Sequence, residues 1–351
     1  CLTVLILSAL LFSACVPGDS AAPTSNFSSM ERIKETGSLL RVHFLDVGQG
    51  DSILIKSPEG RFMLIDAGTN EGGEELVNML RSYNVETLDY FVLTHADADH
   101  VGGADDVLEN FEVKTVLSSD VGADTKTWRD VLDAIEREGC ADVTVSVGNR
   151  YTFSEDCTFT VLGPVDTETD RNNCSVVLRM DYGETSFLFT GDAEQDAEAD
   201  MLEAGAALQA DVLKVGHHGS NTSTSYPFLR EVAPEYAVIS VGEGNDYGHP
   251  HEETMSRLRD ADVTVYRTDL QGHIVATSDG ESISFAVQKN AGVPTNPTQG
   301  AQADHYIGNI NSKVFHRPDC SGLPAERNQV EFANRTDAVN AGYTPCGRCK
   351  P

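Results

Sequence analysis

His95-Ala96-Asp97-Ala98-Asp99-His100-Val101-Gly102-Gly103 follows directly on an apolar stretch, 90–94, that has the length and composition of a buried strand. Four side chains able to bind a metal fall within six residues at the end of that strand. Carboxylates packed this closely repel one another unless a cation neutralises them. A solvated surface turn is therefore the weaker reading. The spacing predicts that His95 and Asp97 face one ion while Asp99 and His100 face a neighbouring one. Gly102 and Gly103 then let the chain turn sharply toward a helix.

Three further stretches repeat the pattern. Leu64-Ile65-Asp66-Ala67-Gly68, Phe189-Thr190-Gly191-Asp192 and Leu213-Lys214-Val215-Gly216-His217-His218-Gly219-Ser220 each place a carboxylate or imidazole just past an apolar run. Such strand ends converge at one edge of a sheet. Working outward, periodicity predicts strands at 42–47, 52–56, 62–66, 90–94 and 113–117, with helices at 74–83 and 128–137. A second set of strands covers 158–162, 176–182, 187–190, 212–215, 236–240 and 263–267, interrupted by helices at 194–205 and 252–260. Two such halves suggest two sheets stacked inward with helices outside. Periodicity alone does not distinguish this from a doubly wound sheet.

The order of these motifs resembles the metallo-β-lactamase superfamily, an α/β fold built as an αββα sandwich, from Arg41 to about Val287. The closer similarity is to the hydrolase domain of ComEC-type DNA-internalisation proteins. It is carried by Val42-His43-Phe44-Leu45-Asp46-Val47-Gly48-Gln49-Gly50-Asp51-Ser52, Asn172-Asn173-Cys174-Ser175-Val176-Val177-Leu178, the Val215–Ser220 stretch and Asn245-Asp246-Tyr247-Gly248-His249-Pro250-His251. The membrane-channel segment of that family is missing, so DNA transport is not implied. Asp97 stands where the wider superfamily has a second histidine, and the region of Asn172 replaces another. These departures disfavour β-lactam hydrolysis.

The resemblance implies one metal site of His95, Asp97 and Asp192, with Asn172 as a further candidate. It implies a second of Asp99, His100, Asp192 and one of His217 or His218, with Asp192 bridging. Oxygen-rich ligation favours manganese over zinc; the expectation is a two-cation hydrolase, with a single occupied site as the alternative. Asp66 is expected to hold ligand geometry. The unliganded member of the His217/His218 pair, or His249, would donate a proton to the leaving oxygen. His251 reads as the cap of the 252–260 helix. Lys214 either offsets phosphate charge or lies at the surface, and His43 and His273 read as structural.

Composition bounds these expectations. With 55 acidic against 25 basic side chains, the formal charge of −30 excludes a basic nucleic-acid clamp. A metal-dependent enzyme acting on a phosphodiester remains compatible with it. Residues 1–14 are apolar and uncharged, too short to span a bilayer, and read as a signal peptide whose start lies upstream. Phe12-Ser13-Ala14-Cys15 resembles a lipobox, which makes Cys15 the lipidation site and the only membrane contact. The domain reading is signal 1–14, tether 15–38, hydrolase domain 39–288, linker 289–304 and terminal module 305–351. The expected location is the outer face of the cytoplasmic membrane.

The terminal module contains His316-Arg317-Pro318-Asp319-Cys320 and Cys346-Gly347-Arg348-Cys349. His316, Cys320, Cys346 and Cys349 form a tetrahedral zinc pattern, and a segment this short needs such a staple to fold. It resembles the zinc-binding domain of Ada-type DNA repair proteins, with Asn311-Ser312-Lys313-Val314-Phe315 and Ala341-Gly342-Tyr343-Thr344-Pro345 beside the ligand pairs. His316 stands where Ada has its first cysteine, so methyl transfer is not implied. Arg317, Arg327, Arg335, Arg348 and Lys350 are candidate DNA contacts. Cys140 and Cys157 are a possible disulfide in an exported protein, and Cys174 reads as a buried thiol. The expected function is an exported metal-dependent phosphodiesterase or nuclease acting on DNA, most plausibly single-stranded. The alternatives are hydrolysis of cell-envelope or small phosphoesters, or a DNA-binding uptake accessory.

Overall fold

Short apolar runs separated by glycine-bearing turns assemble into two large sheets in the computed structural model, which describes residues 39–167, 169–296, 305–318 and 320–347. The first sheet has eight strands, in spatial order Ile283–Val287, Ile274–Ser278, Leu40–Phe44, Ile53–Lys56, Phe62–Ile65, Tyr90–Leu93, Thr115–Ser118 and Ala141–Thr144. The second has seven: Thr264–Arg267, Tyr236–Ile239, Val212–Lys214, Thr185–Phe189, Val177–Tyr182, Cys157–Gly163 and Arg150–Ser154. Phe44, Met63, Val92, Phe159, Phe187 and Phe189 belong to one core that fills the space between the sheets. The helices Gly73–Ser82, Ala104–Asn110 and Lys126–Glu138 cover the outer face of the first sheet through a second core that includes Leu76, Val107, Val131 and Phe91. Gln195–Glu203, Tyr226–Val232 and Glu252–Asp260 cover the second sheet in the same way, around Met201, Phe228, Leu213 and Leu258. The layering is helix, sheet, sheet, helix.

Parallel pairing fixes where the strands end. Phe62–Ile65 runs parallel to Tyr90–Leu93, and Thr185–Phe189, Val212–Lys214, Tyr236–Ile239 and Thr264–Arg267 are mutually parallel. Their C-terminal ends deliver Asp66, His95, Asp192 and the His217/His218 pair to neighbouring sheet edges. This is the usual address of ligand sites in parallel sheets.

His43 lies buried in the first strand, and His273 Nδ1 accepts the Asp46 amide at 2.9 Å. The Cys140 and Cys157 thiols are free, which corrects the disulfide expectation. Cys157 sits in the second sheet and is buried, whereas Cys140 precedes the edge strand Ala141–Thr144 of the first. Part of the predicted linker packs against the sandwich: Asn290 Nδ2 donates to Leu270 O at 2.9 Å and Asn296 Nδ2 to Met255 O at 3.0 Å. The tether and Cys15 lie outside the described residues. Among those described, no helix is long and apolar enough to cross a membrane.

A four-stranded sheet, ordered Gln329–Phe332, Tyr306–Asn309, Val314–His316 and Thr344–Pro345, forms the terminal module with the helix Arg335–Asn340. Among the described residues, its buried core holds Tyr306, Phe315, Ala338, Val339 and Tyr343, with Val330 and Phe332 packed against it. Arg335 anchors it to the sandwich, pairing with Asp260 and reaching Ser256 O at 3.2 Å, while Tyr226 donates its hydroxyl to the same Asp260.

Candidate metal centre

The backbone around the cluster is tightly constrained. Asp66, His217 and His218 all occupy the left-handed region, at φ of 58°, 47° and 51°. Each such placement costs on the order of 1–3 kcal/mol and persists only where the surroundings enforce it. Gly50 is required by close approach, since a Cβ there would stand 2.4 Å from the carbonyl oxygen of Asp99.

One ligand atom each from Asp99, His100, Asp192 and His218 lie within 4.8 Å of one another. His218 Nε2 is 3.3 Å from Asp99 Oδ2 and 3.6 Å from Asp192 Oδ2, and His100 Nε2 is 3.2 Å from Asp192 Oδ1. The His95 ring centre is 4.1 Å from that of His100. The far nitrogens of these rings are all held from behind. His100 Nδ1 meets Asp66 Oδ2 at 2.8 Å, and Asp66 is fixed by the amide and hydroxyl of Thr94 at 2.8 and 2.6 Å. His218 Nδ1 donates to Ser240 O at 3.0 Å, and His95 Nδ1 lies 3.3 Å from Ser175 Oγ. This support turns every Nε2 inward and sets its tautomer.

The inward atoms are left without hydrogen bonds: Nε2 of His95, His100 and His218, and Oδ1 of Asp192, are buried and unpartnered. Unsatisfied buried polar atoms cost about 1–3 kcal/mol each. Two imidazole nitrogens and two carboxylates gathered within 4.8 Å, with the His95 ring beside them, fit a divalent cation. The electrostatics agree. Burial opposes protonation of His218, yet Asp192, Asp51 and Asp99 push its pKa up to about 10. Burial likewise opposes protonation of His100, but Asp192 and Asp66 hold its pKa well above the ordinary value. For Asp192, burial works upward and is outweighed by His100 and His218, which hold it well below the carboxylate range. Burial and the neighbouring His100 bring His95 down to about 3. The cluster attracts positive charge strongly, and a metal ion bound here would take the place of those protons.

Behind the cluster lies an ion pair that the motif reading missed. Lys214 Nζ is 2.7 Å from Asp51 Oδ2, both side chains being buried, and it also donates to Val215 O at 2.9 Å. Asp51 Oδ1 in turn lies 3.4 Å from His218 Nδ1. Lys214 therefore neither faces a phosphate nor lies at the surface. Burial raises the Asp51 carboxyl, but Lys214 and His218 outweigh it and keep the group below its usual range.

Asp97 is half-buried: one oxygen lies 4.0 Å from His95 Nε2 and the other accepts Arg171 Nε at 2.6 Å. Residues Ala98–Val101 are helical, so the strand-like alternation expected through Asp99 and His100 is lost there. His217 Nδ1 meets Glu194 Oε1 at 2.8 Å, while its Nε2 stands 3.7 Å from Asp192 Oδ2. The His249 ring centre is 5.5 Å from that of His217, and burial with His251, His217 and His218 brings its pKa to about 4. His251 occupies the N-cap position of Glu252–Asp260, but its ring does not cap the helix and accepts the Asn221 amide at 3.0 Å instead. Cys174 is buried, with its thiol 3.8 Å from Thr167 O. In the terminal module His316, Cys320 and Cys346 bring ligand atoms within 4.8 Å of one another, while Cys349 lies outside the described residues.

A buried, support-backed histidine–carboxylate cluster at the strand ends of a helix–sheet–sheet–helix sandwich defines a class of metal-dependent hydrolase fold. The chain belongs to the metallo-beta-lactamase superfamily, whose pattern matches residues 45–243. Within it, the curated relatives include ComEC-like competence proteins. The chain is 34% identical over 251 residues to ComE operon protein 3 of Bacillus subtilis, covering 66% of this chain and 32% of that protein. It is 34% identical to competence protein ComA of Neisseria gonorrhoeae, covering 65% of this chain and 30% of that one. Recombination protein 2 of Haemophilus influenzae is 33% identical over 67% of this chain and 28% of its own length. The chain thus spans about a third of the length of these relatives. The metal binding domain of Ada matches residues 295–351.

Proposed function

We propose that this protein is an exported, lipid-anchored phosphodiesterase that cleaves DNA, held at the cell surface through Cys15. The observation that carries the reading is the set of buried, unpartnered Nε2 and carboxylate atoms at the sandwich edge. Similarity to a protein named for competence, and to one named for recombination, supports DNA as the substrate. Asp99, His100, Asp192 and His218 would hold one divalent cation, and His95, Asp97 and Asp192 would hold a second, with manganese favoured over zinc. When bound, such cations make a water molecule a stronger nucleophile and neutralise charge on the phosphoryl oxygens.

The chain's own groups do the rest. Asp66 and Ser240 fix the His100 and His218 rings. Arg171, half-exposed beside Asp97, offers a guanidinium to the substrate phosphate. His217 is oriented by Glu194 and partly open, and donates the proton to the leaving oxygen. His249, held neutral, is the poorer donor and forms the wall behind it.

The test is hydrolysis by the full chain of single-stranded DNA, duplex DNA, RNA and a phosphocholine ester, with added manganese or with chelator. Manganese-dependent cleavage of single-stranded DNA is expected. Turnover of the small ester alone would replace the nuclease reading by a small-phosphoester one. Inactivity on every substrate with manganese, and with zinc in its place, would overturn the hydrolase reading.

A further inference from the structure

Among the described residues, Tyr247 is the most exposed large apolar side chain, at 67%. Its place is not that of a loose surface ring. Asn245 clamps the loop that carries it: Nδ2 donates to Gly242 O at 3.0 Å and to His249 O at 2.7 Å, while Oδ1 accepts the amides of Tyr247 and His249 at 3.2 and 3.0 Å. The Tyr247 ring stacks on His249 at 5.7 Å between centres and 24° between planes. His249 in turn lies 5.5 Å from His217 and 6.4 Å from His218. An aromatic ring is thus held on a rigid loop two rings away from the metal cluster, with one face on an imidazole and the rest in water.

Charge says what such a ring is for. At −30 overall, the protein gains little from the counterion release that drives most nucleic-acid binding. Affinity for a polyanion must then come from contacts that do not depend on net charge. Base stacking is the main one, and it tolerates any sequence because every base has a flat face. A base can lend that face only when it is unpaired.

We infer that Tyr247 is a stacking platform for an unpaired nucleobase next to the scissile phosphodiester, which makes single strands the preferred substrate. The inference rests on the nuclease reading for the identity of that phosphate. The stack itself is independent of cleavage.

Binding, measured separately from turnover, tests it. The full chain, with manganese present, is titrated with a thymidine oligonucleotide carrying phosphorothioate linkages and with an abasic strand of equal length. The wild type should bind the base-bearing strand about tenfold more tightly. Tyr247→Phe should keep that preference, and Tyr247→Ala should bind both strands alike, at the wild type's affinity for the abasic one. Equal binding of the two strands by the wild type would overturn the platform, and so would an undiminished preference in Tyr247→Ala. A loss in Tyr247→Ala that is equal for both strands would assign the ring a loop-supporting role and also overturn it. Retained base preference in a protein that cleaves no DNA would uphold the stack and remove the nuclease reading alone.

Discussion

The two ligand clusters of this chain differ in what surrounds them. The strand-edge cluster of Asp99, His100, Asp192 and His218 is backed by charged and polar groups, Asp66, Asp51 and Lys214 among them. It sits on a sandwich with three apolar cores that do not depend on it. The terminal cluster of His316, Cys320 and Cys346 is sulfur-rich and stands beside a core of five residues. A core that small scarcely supports a fold. The same element of chemistry therefore serves two purposes. In the sandwich a bound metal ion would be something the fold can do without, and in the module it would be part of the fold.

The sharpest way to break this contrast is Asp192→Ala. Hydrolysis should fall by about a thousandfold or more, because the change removes the carboxylate shared by His100 and His218. Circular dichroism and the zinc content of the module should stay as in the wild type. If the module lost its zinc as well, the two centres would not be independent.

Cys346→Ser probes the other side. The module should release zinc and 305–347 should become protease-sensitive, since metal affinity there is folding energy. Small-ester hydrolysis should stay within about twofold, as the sites share no ligand. Loss of ester hydrolysis in parallel would show that the Arg335–Asp260 anchor carries more than docking.

The smallest effect concerns acid. His43 is buried beside Tyr83, and burial, with Arg41, His273 and Lys56 nearby, lowers its pKa from 6.5 to about 3. A folded-state value below the unfolded one means the contribution is fully present above pH 6.5 and is lost as pH falls toward 3. Urea melts of the wild type should therefore lose on the order of 1 kcal/mol per pH unit in that window from this group. His43→Leu should show a correspondingly shallower slope, and an unchanged slope would clear His43 of acid sensitivity.

The ligand-bearing strand ends were legible because each couples a local apolar run to a following carboxylate or imidazole, as at Tyr90–Leu93 and Val212–Lys214. The helix Glu252–Asp260 was legible to the residue. Ala141–Thr144 and Arg150–Ser154 were not: both are edge strands, the first almost wholly exposed and the second buried only at Phe153 and Ser154, so little apolar pattern marks them. Ile274–Ser278 pairs with Leu40–Phe44, a partnership fixed by the fold rather than by nearby residues. The same limit hid the support shell. Asp51 and Lys214 meet across the two sheets, and Glu194 reaches His217 from a different loop. Lys214 misled for a related reason, since a lysine at a strand end gives no sign of a buried carboxylate waiting for it.

Electroneutrality gives that buried lysine a further meaning. Asp51, Asp66, Asp97, Asp99, Asp192 and Glu194 gather around the cluster, against Lys214 and Arg171. With neutral imidazoles, these six carboxylates and two cationic side chains leave four negative charges uncompensated. A single dication would leave the cavity anionic and hostile to any further anion. Under the two-cation reading the charges balance. Were Lys214 neutral, a negative charge would return, and a residue buried behind the cluster would decide whether an anion is admitted.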